Sequence, residues 1–246
     1  MLKPLFSIFF CVFTGNVLAQ SFDYFSDEAW VMQHKIKNVV GTTYNLNNGA
    51  LVLPGKKSTY KKFNPQGILL ENITYSLGGE AVREETNIVD ENNYITETRL
   101  YEAHKSTNTK VYYKKTSVGT IAEKLIVKSS KAFEKYIYKY NSKLQLIACD
   151  LYDSEFGYTR ITYTYDANAN IIKTNEYNAY NELYTITTFT YNDNNQLIEC
   201  VALGADSEVD YKYAYTYNLD ITVQWQTTYS PTGKPLQITK YNYNFY

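Results

Sequence analysis

One short pattern returns along this chain at a nearly constant step. Its clearest copies are Tyr138-Lys139-Tyr140-Asn141, Tyr163-Thr164-Tyr165-Asp166, Phe189-Thr190-Tyr191-Asn192, Tyr215-Thr216-Tyr217-Asn218 and Tyr241-Asn242-Tyr243-Asn244. With the Asn or Asp as anchor, the steps are 25, 26, 26 and 26 residues, and degenerate copies continue upstream at Thr116, Asp90 and Asn64. A fixed period of this length marks an array built from one supersecondary unit. That restricts the fold far more than composition does.

The unit reads as a β-hairpin. In Tyr158 to Tyr165, Ile161, Tyr163 and Tyr165 fall on one face and Arg160, Thr162 and Thr164 on the other. Period-two alternation of aromatic and β-branched residues indicates a half-buried strand. Asp166 to Asn170 is turn chemistry, Ile171 to Tyr177 a second strand, and Asn178 to Glu182 a second turn. Three residues after the anchor stand Gly67, Asn93, Gly119 and Asn195, which reach positive φ at little expense; Leu144 and Ala169 depart from this. Five residues after the anchor the column is aliphatic throughout: Leu69, Ile95, Ile121, Leu146, Ile171, Leu197 and Val223. A one-residue slip would exchange the aromatic and polar faces, so register is well specified. Seven spacings of two strands predict an all-β antiparallel meander of about fourteen strands. A sheet that wide curls, giving a long curled sheet or a large open barrel.

Three segments follow from this period. Residues 1–19 have the form of a secretory signal peptide, with Lys3, an apolar run from Leu5 to Phe13, and Val17-Leu18-Ala19 before Gln20. The run is shorter than the roughly 20 residues a spanning helix needs, and no later stretch reaches that length. Residues 20–60 fit the period badly; Trp30, Met32 and Ile36 alternate, and the segment is expected to cap the first sheet edge. Residues 61–246 form the array. An exported chain is thus expected, placed in the periplasm, on the outer surface or outside the cell. Net charge of −1 gives no pull toward nucleic acid or an anionic membrane. Cys149 and Cys200 each lie eight residues after an anchor, two repeats apart. Four strand spacings separate them by roughly 19 Å, and bridged cysteines need Cα atoms within about 7 Å, so two free, partly buried thiols are expected.

The repeated residues resemble the YD repeats of Rhs-type and teneurin-type proteins: Tyr-x-Tyr-Asp, Gly three residues on, then an aliphatic residue. Tyr163-Thr164-Tyr165-Asp166 with Ile171 matches closely, and Phe63-Asn64 with Gly67 and Leu69 keeps the turn. The likeness spans residues 60–246. Together with the signal-like leader, the tyrosine-rich hairpins also resemble secreted repeat proteins of Bacteroides-type bacteria. Both resemblances imply β-hairpin scaffolds.

Chemistry-bearing motifs are sparse. His34 and His104 are the only histidines and form no metal spacing with Cys149 or Cys200. No nucleophile elbow or phosphate-cradling glycine loop occurs. Asp206-Ser207-Glu208-Val209-Asp210 carries three carboxylates but lacks a calcium-loop pattern and reads as a solvated turn. Glu71, Glu97, Glu123 and Glu199 share one repeat position, which a column of surface residues already explains. No catalytic residue, metal ligand or cofactor is assigned. The tyrosine face can serve either as cross-strand packing or as a stacking surface. Trp225 breaks its own column. The binding candidates are therefore Trp225, Tyr163, Tyr165, Tyr215 and Tyr217, with a glycan or an envelope protein as partner. The expected function is a secreted, non-catalytic β-repeat protein that binds or supports structure at the bacterial envelope. The alternatives are a glycan-active enzyme using sheet carboxylates, or an immunity-like partner of a larger YD-repeat protein.

Overall fold

The computed structural model describes residues 28–76, 78–102, 104–128, 132–219 and 222–246. The expected leader, residues 1–19, lies outside these. A short helix, α1 (Glu28–Gln33), precedes β1 (Ile36–Asn47), β2 (Ala50–Leu51), β3 (Lys56–Phe63), β4 (Leu69–Tyr75), β5 (Ala81–Val89), β6 (Ile95–Glu102), β7 (Lys105–Lys115), β8 (Ile121–Val127) and β9 (Phe133–Tyr140). Then follow β10 (Leu146–Asp153), β11 (Gly157–Tyr165), β12 (Ile171–Tyr177), β13 (Leu183–Tyr191), β14 (Leu197–Gly204), β15 (Val209–Tyr217), β16 (Val223–Tyr229) and β17 (Pro235–Phe245).

From β3 to β17 each strand pairs antiparallel with the next, and β1 pairs antiparallel with both β3 and β17. The meander therefore closes. Sixteen strands form the ring, and β2 is a side ribbon on the end of β1. Between anchors Asn64 and Asn244 lie fourteen strands, β4 to β17, which is the number the seven spacings give. The expectation fell short by the three strands upstream of the first anchor. Closure replaces the open sheet because β1 accepts pairing on both sides, which removes both free edges. The segment read as a cap thus contributes this closing strand, and Trp30 and Met32 lie in α1, not in an alternating strand.

Closure depends locally on Gly41. A Cβ there would sit 2.6 Å from the Thr59 Oγ1 and 3.3 Å from the Thr239 Cγ2. Both neighbours come from the strands that β1 joins.

Curvature sorts the two sheet faces. Side chains converge on the concave side of a ring and splay on the convex side. Tyr138 is 7% exposed and Tyr215 4%, whereas the opposite face carries Lys114 and Lys110 with side chains 71% and 65% exposed. The tyrosine face is the inner one. Its apolar residues form three clusters, each drawn from strands adjacent in the ring: β6 to β12 around Tyr136 and Ile161, β13 to β17 around Cys200 and Tyr215, and the seam around Val31, Val39 and Phe63. Cys149 and Cys200 are free and buried in this wall, on β10 and β14.

Candidate functional site

The tyrosine motif acts first as a building device. The anchor side chain caps its loop: Asp166 Oδ1 accepts hydrogen bonds from the backbone N–H groups of Asn168 and Asn170 at 2.9 and 2.8 Å, and Asn192 does the same for Asn194 and Gln196 at 3.0 and 3.0 Å. Among the described residues the one three on takes positive φ whatever its identity: Gly67, Asn93, Gly119 and Asn195, and also Leu144 (62°) and Ala169 (68°). The tyrosine just before each anchor then reaches back one repeat. Its hydroxyl donates to the carbonyl of the aliphatic residue five after the preceding anchor: Tyr140 to Ile121 (2.8 Å), Tyr165 to Leu146 (2.7 Å), Tyr191 to Ile171 (2.9 Å), Tyr217 to Leu197 (2.5 Å) and Tyr243 to Val223 (2.7 Å). At that end of the ring, consecutive hairpins have no covalent turn between them, so the hydroxyl staples the gap. At the seam the Tyr246 hydroxyl donates to the Phe63 carbonyl.

The sequence-derived candidates separate accordingly. Tyr163 and Tyr215 are buried in the inner wall at 8% and 4% exposure, on β11 and β15. Tyr165 and Tyr217 are half-buried staples. Burial holds the Tyr165 hydroxyl protonated by pushing its pKa up to about 12. Trp225 lies on the outer face, because it pairs with Lys240 and Thr216 and not with the tyrosine columns. Its ring is 6.3 Å from Tyr44, and the Lys240 Nζ sits 5.5 Å from its centroid. The structure therefore brings Trp225 together with none of the four tyrosines.

The outer face is a set of charge ladders. Glu123 pairs with Lys114 at 3.0 Å and Lys135 at 3.1 Å, Glu97 with Arg99 at 2.9 Å and Lys110 at 3.9 Å, and Glu199 with Lys212 at 2.6 Å. The hydrogen bonds from Lys114 and Lys135 lower the pKa of Glu123, and that from Arg99 lowers Glu97. Asp150 sits between Lys139 and Arg160, 2.7 Å from each. Burial alone would raise its pKa, but hydrogen bonds from Arg160, Lys139 and Tyr158 outweigh it and bring the value to about 2.

Glu176 was not singled out by sequence reading. It lies on the inner face opposite Ile161 and Thr185, and the Tyr184 hydroxyl donates to it at 3.0 Å. Burial pushes its pKa up to about 7, against the lowering effect of that bond. It is the sole acidic residue of β11, β12 and β13. A signal did exist: ten residues after the other anchors stand Thr74, Leu100, Ile126, Leu151, Ala202 and Thr228, all uncharged. Among the described residues no group of three or more His, Cys, Asp or Glu is placed to hold a metal ion. Asp206 accepts a hydrogen bond from the Glu208 backbone N–H at 3.1 Å within its turn.

A second place of interest is an open groove of about 320 Å³ at the seam end of β16 and β17, lined by Asn218, Thr222, Gln224, Lys240, Asn242 and Phe245 together with Tyr241 and Tyr243.

No family model matches this sequence, and no curated protein does. Similar solved structures include a porin-like protein from Bacteroides vulgatus, at 11% identity and TM-score 0.42, covering 83% of this chain and 98% of that one. A porin-like protein from Bacteroides uniformis matches at 10% identity and TM-score 0.39, covering 85% and 98%. A TcdB2–TccC3 structure matches at 10% identity and TM-score 0.23, with 71% of this chain against 12% of that one. These are distant likenesses.

Proposed function

We propose that this chain is an exported bacterial β-barrel that works by binding at the cell envelope, with its outer wall in water and without catalysis. The outer wall carries the reading. Lys114, Lys139, Arg160 and Lys212 and their acidic partners stand on strands spread around the ring. A Lys or Arg on a lipid-facing barrel wall costs about 2–4 kcal/mol at the bilayer midplane. In water the same ion pairs are worth about 0–1 kcal/mol each and are tolerated anywhere. Among the described residues no helix is long and apolar enough to cross a membrane. The strand wall is the element that bears on the question, and its chemistry is aqueous.

The carboxylates support binding over catalysis. Glycoside hydrolysis uses two carboxyl groups about 5–10 Å apart. Glu97, Glu123, Glu199 and Asp150 are each engaged by Lys or Arg, and Glu176 has no acidic neighbour on its own or flanking strands. Glu134 and Asp153 do face each other across β9 and β10, but both are buried and tied to Lys128, at 2.5 and 3.9 Å. Export to the envelope rests on the leader-like residues 1–19, and kinship with YD-repeat proteins rests on the motif.

Residues 20–246, produced without detergent, test this directly. A soluble chain with a β-type circular dichroism spectrum, left behind when lipid vesicles float, is the expected result. Recovery only in detergent, or co-flotation with vesicles of neutral lipid, overturns the water-facing wall.

A further inference from the structure

We propose that the outer wall at the seam, on β16, β17, β1 and β3, is a docking surface for an acidic polysaccharide, held by Trp225, Tyr44, Lys240 and Lys57. This rests on the binding reading above and names the partner's chemical class.

Charge is spread unevenly along the chain. Residues 29–70 and 221–246 hold eight lysines and no Asp or Glu; Glu28, Glu71 and Asp220 bound the two stretches. The whole chain holds 24 basic and 25 acidic residues, so the remainder carries 16 basic against 25 acidic. The net charge of −1 thus conceals a basic sector, and such a sector attracts anions through its local field. Ring closure makes the two stretches one surface: β16 pairs with β17, β17 with β1, and β1 with β3.

The strand register lays one row of side chains across this surface. Trp225 pairs with Lys240, Lys240 with Thr42, and Thr42 with Lys57. Directly opposed residues of antiparallel strands share a face, so all four stand on the outer face with Trp225. Lys240 and Lys57 are two strand spacings apart, about 10 Å. In the neighbouring row Tyr44 pairs with Ile238, and its ring centroid lies 6.3 Å from that of Trp225. The backbone of Gly55 presses on the Tyr44 ring and leaves no room there for a Cβ, so the ring is backed from below.

The lysines here are held differently from those on the rest of the wall. Lys114, Lys135 and Lys212 each meet a carboxylate. Lys240 instead has its Nζ 5.5 Å from the Trp225 ring centroid. Lys57 has its Nζ 4.2 Å from the Tyr75 centroid and donates to the Tyr75 hydroxyl at 2.7 Å. Among the described residues neither Lys240 nor Lys57 forms an ion pair, so both charges are left for a partner. Lys62 faces Glu71 and is not counted among them.

Ring, ammonium, hydroxyl and ammonium in one row suit a sugar chain. The apolar face of a pyranose packs on an indole, its hydroxyls meet Thr42, and uronate or sulfate groups take the ammonium groups. A peptide fits worse. An extended peptide adds to a free sheet edge and a helical one fills a groove, whereas this wall is a closed, convex sheet. The two stretches also lack Arg, the residue suited to bidentate recognition of phosphate.

The experiment is a calorimetric titration of residues 20–246 with oligogalacturonate and with heparin-derived oligosaccharide. Methyl-esterified oligogalacturonate is the uncharged control, and NMR follows the Trp225 indole N–H, assigned with Trp225→Phe. The expected results are binding of the acidic oligosaccharides, a shift of the Trp225 signal, and a loss of affinity of about tenfold or more as salt rises from about 0.05 to 0.5 M. Lys57→Gln/Lys240→Gln should weaken binding about tenfold or more at an unchanged melting temperature, and Lys110→Gln/Lys114→Gln by less than about twofold. Full affinity in Lys57→Gln/Lys240→Gln overturns the location. Equal affinity for the methyl ester overturns the recognition of charge. Binding of neither acidic oligosaccharide, with or without binding of anionic lipid vesicles, overturns the partner class. In each of these cases a chain that is folded without detergent and left behind by neutral vesicles keeps the reading above standing.

Discussion

Replacing Tyr191 by Phe removes one hydroxyl and nothing else. That hydroxyl donates to the Ile171 carbonyl at 2.9 Å, and the half-buried Tyr191 ring packs on the cluster around Cys200 and Tyr213. A hydrogen bond of this kind contributes about 1 kcal/mol net, and a partly buried carbonyl left unsatisfied adds to the loss, so Tyr191→Phe should destabilise by about 1–2 kcal/mol. Tyr191→Ala also removes the ring, and its loss should reach about 3–5 kcal/mol. With a urea slope of about 2–3 kcal/mol/M for a chain of this size, the Phe variant should shift the unfolding midpoint by about 0.5 M. Tyr165→Phe should behave alike, because its staple to Leu146 lies in the preceding repeat, and the double variant should be close to additive. A Phe variant within about 0.3 kcal/mol of the parent, beside a large loss for Ala, would refute stapling by the hydroxyl and leave only ring packing.

The other predictions concern charge and turns. Glu176 has its folded pKa raised to about 7 from 4.5, so its ionisation opposes folding: stability is full below pH 4.5 and falls as pH rises toward 7. Glu176→Gln should therefore raise stability by up to about 3 kcal/mol at pH 8 and change little at pH 4, read from melting curves at both; equal curves at pH 8 would contradict the buried-acid reading. Leu144 and Ala169 hold positive φ without being glycine, and Leu144 is 49% exposed. Leu144→Gly and Ala169→Gly should each stabilise by about 0.5–1 kcal/mol, measured by urea unfolding, whereas glycine at an ordinary loop position would destabilise.

The hairpin repeat was legible because its rules are local. The anchor caps its own loop, the turn residue sits three positions on, and the aliphatic column opens the next strand. Even Leu144 and Ala169, which lack the expected residue type, adopt the expected backbone. Ring closure was not legible, because it is a non-local event carried by β1, which has no copy of the motif. Gly41 there reads as a weak strand residue until Thr59 and Thr239 are seen on either side of it. The building role of the candidate tyrosines was not legible for a related reason. A column repeated for construction looks, in sequence, like a surface repeated for recognition. Glu176 and Trp225 stand out only when each is compared with its own column: one is an acid among uncharged inner residues, the other an indole among outer charges and alanine.

Hydrogen–deuterium exchange of β1 (Ile36–Asn47) and β17 (Pro235–Phe245) reports on the closed ring most directly. In the ring, Val39 faces Tyr243 on one side and Lys61 on the other, so both sets of β1 backbone groups are paired. Closure predicts that peptides from β1 and β17 exchange as slowly as those from β10 and β11. Fast exchange of β1 and β17, with the middle of the array still protected, would show an open sheet with two free edges and contradict the barrel.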